Sequence, residues 1–377
     1  MKKIVAVVFI ILVIIICGII FINKQKEEIE VAKAVNSEEN IVEEKFSPIP
    51  AIIINSTNTK QNNVTLDRGT RVNIIDEKED EYIIGLNDTK DCIDKKDVYY
   101  FKFNKDEKYS LAIDVSEFNI VGKESPEYSS KIFKDNIDFA KFIIDNNINY
   151  SYLRIGGRGW GSKGNMYYDD NVKLYIDICE YLKIPYGFYF IEEALNEEEV
   201  LGEVQFVKDF IDQEKLEFNV LPLALDLEYQ DGKGRTDNTW ENRVPLVNML
   251  VNEFKKIGID TILYANGARI ETYLKNANCK FWTAMYIKDD KIPKDDYKTV
   301  IQKEEAKIKN NPELINNSFL NTDLNKKGTN TVSYSDEYLN KVVGWQFTED
   351  GAKEDGITTY VDLSILNNEY FSKFYEQ

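Results

Sequence analysis

The chain has 377 residues, of which 43% are hydrophobic and 12% aromatic, enough for one large domain with smaller additions. Its formal net charge of −18 argues against nucleic acid as a partner, because phosphate binding needs clustered Lys and Arg. The sequence contains no histidine, which excludes Ser-His-Asp and Cys-His catalysis, HExxH metalloproteases and most zinc sites. Any catalysis must therefore use Asp, Glu, Tyr, Lys or Cys.

The amino terminus carries the first element. Two lysines precede an uncharged run over residues 4–22, whose nineteen residues span the roughly 30 Å core of a bilayer at about 1.5 Å each. A cleaved signal peptide has a shorter apolar region and a small-residue cleavage site, and both are missing. We therefore predict an uncleaved single-pass anchor over residues 1–23, with the rest of the chain on the outer side of the cell membrane.

The cysteines do not indicate a cofactor or a metal site. The four are Cys17, Cys92, Cys179 and Cys279, and none forms a CxxC pair. The last three are predicted to be buried, small hydrophobic residues rather than a disulfide framework. Neither a cofactor nor a metal is predicted.

Residues 24–50 are Glu-rich without an apolar period, which indicates an exposed linker. Over residues 51–105, short β-like runs such as "RVNIID" and "EYIIGLN" alternate with turn signals. A small all-β module is predicted there. Its pattern resembles the bacterial Src-homology-3-like barrels that often accompany cell-wall hydrolases; a β-rich spacer without a ligand is the alternative.

Residues 106–377 show a different rhythm, in which apolar segments alternate with helical patterns. Eight segments look like strands: "LAIDV", "YSYLRI", "IPYGFYF", "VLPLALDLE", "TILYAN", "FWTAMY", "VVGWQF" and "YVDLS". Strands that alternate with helices indicate a parallel sheet, and eight of them indicate an α/β fold of the β/α (TIM-like) barrel type.

A β/α barrel places its functional residues at the carboxyl ends of its strands. Polar side chains do occur at these positions: Asp114, Arg154, Tyr189, Asp226, Glu228, Tyr264, Asn266, Tyr286, Gln346 and Asp362. Several different strands contribute, which isolated turn residues would not explain as well.

The stretch "LALDLEYQ" carries two of these acids, Asp226 and Glu228. Alternate strand residues point to the same face, so the two side chains project together, with Cα atoms about 6.6 Å apart. Two neighbouring acids cannot both ionise easily, and one retains a proton near neutral pH. A protonated carboxyl beside a carboxylate is what cleavage of a glycosidic bond requires. The alternative is a strand end with two solvated acids.

The ordered set of motifs over about residues 109–376 resembles glycoside hydrolase family 25, the muramidase lysozymes. The motifs that carry the resemblance are "AIDVSEFN", "LRIGGRGWG", "LPLALDLEYQ", "ILYAN", "FWTAMY", "GWQFTEDG" and "GITTYVDLS". The resemblance implies a β/α-barrel muramidase that cleaves the β-1,4 bond between N-acetylmuramic acid and N-acetylglucosamine. Its substrate would be the glycan strands of peptidoglycan.

Carried over by position, the family's general acid falls on Glu228 and its paired carboxylate on Asp226. Asp114 and Asp362 match two further acids of the pocket. The aromatic floor on which sugars stack falls on Tyr189, Tyr264, Trp282, Tyr286 and Trp345. Arg154 and Arg158 are candidates to hold lactyl or N-acetyl oxygens, with a solvated position as the alternative for Arg158.

Two departures and two rival functions stand beside this interpretation. Residues 291–340 form a Lys- and Asn-rich insertion, and the stretch after Arg154 lacks the "K-A-T-E-G" of the best-known branch. One rival is a catalytically silent protein that binds wall glycan, against which the four acids speak. The other is a chitinase-like hydrolase, whose longer acidic motif would need an Asp where this chain has Ala224.

Overall fold

The computed structural model describes residues 47–86, 89–104, 108–120, 133–216, 221–285, 335–349 and 361–375. The predicted anchor over residues 1–23 lies outside these ranges, as do most of the predicted linker and of the 291–340 insertion. In the part of the chain that is described, no helix combines the length and the apolar character needed to cross a bilayer.

The first part of the described chain is all β. Its strands are β1 Ile49–Ile53, β2 Thr57–Asn58, β3 Thr65–Leu66, β4 Arg71–Glu77, β5 Glu81–Leu86, β6 Thr89–Asp94 and β7 Val98–Tyr100. Five of them form an antiparallel sheet in the order β6-β5-β4-β1-β7, and β2 pairs with β3. Alternation in β4 buries Val72 and Ile74 in a small apolar core beneath the sheet.

The second part of the chain forms a larger sheet of nine strands. They are β8 Tyr109–Val115, β9 Ile148–Arg158, β10 Met166–Tyr168, β11 Tyr186–Ile191, β12 Leu221–Asp226, β13 Thr261–Asn266, β14 Lys280–Ala284, β15 Val342–Thr348 and β16 Asp362–Asn367. Pairing of β8 with both β9 and β16 closes eight strands into a barrel, while β10 forms a hairpin on the outer end of β9. The predicted barrel is therefore confirmed.

One strand of the barrel runs against the prediction. β8, β9 and β11 to β15 are parallel, but β16 is antiparallel to both of its neighbours. Asp362 therefore lies at the amino end of its strand and not at the carboxyl end. The reversal brings it to the same rim as the carboxyl ends of the parallel strands, in direct register with Asp114.

The helices are α1 Asn136–Asp145, α2 Val172–Leu182, α3 Glu197–Glu214, α4 Val244–Lys256, α5 Gly267–Arg269, α6 Asp336–Leu339 and α7 Asn368–Tyr375, with further helical turns at Lys95–Asp97, Trp240–Asn242 and Ile270–Leu274. The longer ones bury one apolar face, as their spacing predicts. In α2 this face includes Tyr175, Cys179 and Leu182. At the start of α3 the Asn196 side chain accepts a hydrogen bond from the Glu199 backbone N–H at 3.0 Å.

Strand alternation divides the barrel's apolar residues between two cores. Tyr152, Ala224 and Trp282 point into the barrel, whereas Leu225 and Phe254 belong to the core between strands and helices. Apolar side chains thus fill the barrel interior, and polar residues remain at the rim formed by the carboxyl ends of the parallel strands.

Candidate active site

A cavity of about 310 Å³ opens at the rim formed by the carboxyl ends of the parallel strands. Its walls are Asp114, Ser116, Phe118, Asn119, Arg154, Trp160, Tyr189, Ile191, Asp226, Glu228, Tyr264, Trp282, Gln346, Glu349 and Asp362. The four acids that the sequence singles out all line it. This position is where barrel folds carry their active sites.

The central pair of acids, Asp226 and Glu228, lies at the carboxyl end of β12. Because Leu225 and Leu227 belong to the outer core, Asp226 and Glu228 face the cavity. Asp226 is buried, and its Oδ1 accepts no hydrogen bond within the described chain. Glu228 lies two residues further out and is exposed to the cavity, where its Oε2 accepts a hydrogen bond from Gln230 Nε2 at 3.1 Å.

The second pair of acids comes from β8 and β16. Asp114 and Asp362 face each other across the two strands and share a side-chain hydrogen bond. Gln346 Nε2 donates to Asp114 Oδ2 at 3.1 Å, and the Tyr264 hydroxyl donates to Gln346 Oε1 at 2.6 Å. Tyr264 therefore fixes which end of the Gln346 amide meets Asp114, so Asp114 is held by donors on both sides.

All four acids hold their protons more tightly than ordinary carboxyl groups. Burial raises the pKa of Asp114 to about 7, with the charge of Glu228 adding to the effect. Burial also raises the pKa of Asp226 and Asp362 well above the usual range, and neighbouring acids raise both further. Loss of solvation raises the pKa of Glu228 as well, and the charge of Glu349 adds to the effect. The cavity therefore retains protons near neutral pH.

Arg154 lines the cavity and is almost fully buried. Its Nε donates to Asp169 Oδ2 at 2.8 Å, and its Nη2 lies 3.3 Å from Glu117 Oε1. Its charge is thus offset by two carboxylates, and its predicted role as a substrate ligand stays a prediction.

Arg158 does not reach the cavity, and neither alternative raised for it is correct. It is buried, donating from Nε to Glu203 Oε1 at 2.7 Å and to the Gly164 carbonyl oxygen at 2.9 Å. It ties the β9–β10 hairpin to α3.

Three of the predicted aromatic residues, Tyr189, Tyr264 and Trp282, line the cavity. Trp282 forms its floor, with its indole N–H donating to Ser364 Oγ at 2.9 Å. Trp345 is turned away: its neighbour Gln346 faces the cavity, so alternation sends Trp345 into the outer core, where it donates to the Met285 carbonyl oxygen at 2.9 Å. Tyr286 lies outside the described residues.

The structure adds aromatic residues that the strand pattern does not reveal. Phe118 and Trp160 line the cavity from loops and are 41% and 45% exposed, unusual values for such large apolar side chains. The available signal was a Trp in the Gly-rich stretch "GRGWG" directly after a strand. Among the residues that the structure describes, no group of three or more Asp, Glu or Cys side chains is arranged to hold a metal ion.

Comparison with known proteins gives structural likeness alone. No family model matches the sequence, and no curated protein matches it. The catalytic domain of the endolysin ply40 from bacteriophage P40 of Listeria monocytogenes is 15% identical, with a TM-score of 0.44, covering 71% of this chain and 98% of its own. The Clostridium perfringens spore cortex lytic enzyme SleM is 17% identical, with a TM-score of 0.46, covering 70% of this chain and 69% of its own.

A third similar structure is GHIP, a glycosyl hydrolase 25 of Streptococcus pneumoniae. It is 13% identical, with a TM-score of 0.42, and the match covers 70% of this chain and 93% of GHIP. At these identities and scores, the likenesses carry no argument about the activity of this chain.

Proposed function

We propose that this chain is a peptidoglycan hydrolase that cleaves the β-1,4 bond between N-acetylmuramic acid and N-acetylglucosamine. The observation that carries the proposal is the gathering of five carboxyl side chains, the four predicted ones and Glu349, with several aromatic side chains in one cavity at the barrel rim. Hydrolysis of a glycosidic bond needs one carboxyl that gives a proton and one carboxylate that faces positive charge on the sugar. The choice of bond follows the resemblance of the motifs to muramidases.

Glu228 is the proposed general acid. It is exposed to the cavity, unlike the buried Asp114 and Asp226, and its raised pKa keeps a proton available to the oxygen of the leaving sugar. The proton moves to that oxygen as the bond to the sugar carbon breaks. Water then adds to this carbon, and its proton returns to the protein.

Asp226 is the proposed partner of the sugar's acetamido group. A buried carboxyl oxygen without a hydrogen bond is costly unless a ligand supplies the donor. An acetamido N–H beside Asp226 Oδ1 would satisfy it and would favour the ionised form of Asp226, which stabilises the positive charge that develops on the sugar.

The proposal predicts the outcome of conservative substitutions. Glu228→Gln removes the transferable proton and keeps the shape, so hydrolysis of purified walls should fall by about 10²- to 10⁴-fold. Asp226→Asn should cost a similar factor through lost charge stabilisation. The measurement is turbidity loss of a wall suspension, with thermal unfolding recorded in parallel.

The control is Glu241→Gln, an exposed glutamate outside the cavity, which should leave the rate unchanged. Full activity in Glu228→Gln would remove Glu228 from its role. A wild-type chain without any zone of clearing in a wall zymogram would instead support the silent glycan-binding protein.

Product analysis identifies the bond. Muramic acid at the new reducing ends, seen by mass spectrometry of digested walls, is the expected result, whereas glucosamine there would mean that a different bond is cut. Release of soluble sugar from chitin, and none from walls, would favour the chitinase-like alternative.

We also propose that residues 1–23 anchor the chain in the cell membrane, with the cavity on the outer side. The chain should remain in the membrane fraction after a high-salt wash and be digested by protease added to cells stripped of their wall. Recovery of the shortened, secreted chain from the medium would contradict the uncleaved anchor.

A further inference from the structure

One arginine differs from the rest in what surrounds it. The chain has seven arginines. Six form ion pairs with carboxylates: Arg68, Arg71, Arg154, Arg158, Arg235 and Arg243. Arg269 is the seventh, and none of the carboxylates within the described ranges forms an ion pair with it. In a chain with a net charge of −18, an arginine without a carboxylate partner in the described ranges calls for an explanation.

Aromatic rings hold Arg269 in place instead. Its guanidinium carbon lies 3.7 Å from the centre of the Tyr229 ring and 5.0 Å from that of Trp240. Contact with a ring face fixes the plane of a guanidinium and leaves its N–H edges free to donate. Arg269 is partly exposed and Tyr229 is 41% exposed, so a ligand in solution can reach the pair.

The pair stands beside the proposed catalytic cavity. Tyr229 directly follows Glu228, and consecutive Cα atoms are about 3.8 Å apart. Arg269 is the last residue of α5, the helix that follows β13. It comes five residues after the cavity residue Tyr264. Both residues therefore follow the carboxyl ends of β12 and β13, at the same rim as the cavity, although neither is among the residues that line it.

The chemistry of the pair favours a carboxylate ligand. An oriented guanidinium presents parallel N–H donors that match the two oxygens of a carboxylate. Five acids line the neighbouring cavity, and those that are ionised would repel a negatively charged substrate group, whereas Arg269 would attract it.

We propose that Arg269, held on Tyr229, binds a free carboxylate of the peptide stem that muramic acid carries next to the cleaved bond. This inference rests on the proposed muramidase function and adds to it a preference among peptidoglycan substrates. Walls whose stem carboxylates are free should be better substrates than walls whose stem carboxylates are amidated.

The test compares Arg269→Gln with the wild-type full chain on two matched substrates. These are soluble glycan fragments whose stem carboxylates are free or converted to amides. On free carboxylates the variant's KM should rise about tenfold or more, the range of a lost hydrogen bond to a charged group, with kcat nearly unchanged. On amidated fragments the two proteins should agree, and Arg269→Lys should recover only part of the loss.

Arg71→Gln is the matched control. Arg71 also lies over a tyrosine, with its guanidinium carbon 4.6 Å from the centre of the Tyr181 ring, but it already has Asp177 as a partner. This variant should show the wild-type preference. A purely structural role for Arg269 would instead lower the melting temperature and kcat equally on both substrates, which would overturn the inference.

Binding of the same fragments, measured by calorimetry, separates the inference from the function on which it rests. Suppose that the wild type turns over both substrates and that neither protein shows a KM difference between them. This result would overturn the role of Arg269 and leave the muramidase proposal standing. Binding without turnover would overturn the muramidase proposal, and in that case loss of the preference for free carboxylates in Arg269→Gln would still support the site.

Discussion

Asp114 and Asp362 show how two acids can stand side by side in a buried place. They share a hydrogen bond, and neither has a basic partner among the described residues, so the pair is tolerated only if it retains a proton. Gln346, oriented by Tyr264, steadies the pair. The arrangement keeps negative charge low beneath the substrate while Asp226 and Glu228 remain free to act.

This pair predicts how stability depends on pH. The pKa of Asp114 is raised from 3.8 to about 7, so the folded state binds more protons than the unfolded state between these values. The free energy of unfolding should therefore fall as the pH rises from about 4 to about 8. Thermal melts across this range should show the midpoint decreasing.

Asp362→Asn gives the corresponding control, because an amide cannot ionise and the raised pKa of Asp362 then no longer contributes to the pH dependence. The decrease in melting temperature toward high pH should be smaller in this variant than in the wild type. An equal or steeper decrease would mean that other groups set the pH dependence.

At the scale of elements, the loop of the β9–β10 hairpin carries Trp160 to the cavity. Two arginines hold this loop in place. Arg158 donates to the carbonyl oxygen of Gly164, and Arg235 lies against the same glycine while it pairs with Glu199. A Cβ on Gly164 would overlap the guanidinium of Arg235, and the φ of +53° is also unfavourable for a side chain. The tip of the hairpin is thus fixed by close contact.

Gly164→Ala should therefore displace the hairpin. Arg235 would have to leave Glu199, so we expect a loss of about 1–3 kcal/mol in stability and a several-fold higher KM as Trp160 moves. Gly161→Ala in the same loop is the control, since apart from the adjacent residues no atom of the described chain lies within 4 Å of its added Cβ. Equal KM values in the two variants would show that the position of Trp160 does not matter for binding.

Some features of these elements are local and follow from the sequence, whereas others depend on distant contacts. Two-residue alternation and strand ends sufficed for the barrel and for the positions of Asp226 and Glu228, because both are local properties. The direction of β16 depends on pairing with strands far along the chain. The local sequence of a short strand does not indicate whether it is parallel or antiparallel to its neighbours. Whether Trp345 faces the barrel interior or the outer core likewise depends on which of the two sides its neighbour Gln346 faces. Trp160 was missed because Arg235, distant in sequence, sets its loop.

At the scale of the whole molecule, the antiparallel sheet over residues 49–100 is joined to the outside of the barrel. The Tyr181 hydroxyl donates to the Val72 carbonyl oxygen at 2.8 Å and lies 3.0 Å from that of Ala51. Ile52 and Ile54 belong to the same apolar core as the barrel's outer layer. None of the described residues that line the cavity comes from this sheet. The sheet and the barrel therefore form one compact unit from Ile49 onward, with the cavity left open.

This joint predicts cooperative unfolding. Tyr181→Phe removes the donor from two carbonyl groups at the interface and should lower the free energy of unfolding by about 1–3 kcal/mol, with kcat unchanged. Tyr168→Phe is the control, because the Tyr168 hydroxyl makes no hydrogen bond within the described chain and its ring is 43% exposed. Calorimetry of the wild type should show one transition for sheet and barrel together, which Tyr181→Phe shifts to lower temperature. Two separate transitions in the wild type would mean that the contacts at Tyr181 do not couple the sheet to the barrel, whose folding would then depend on its own core alone.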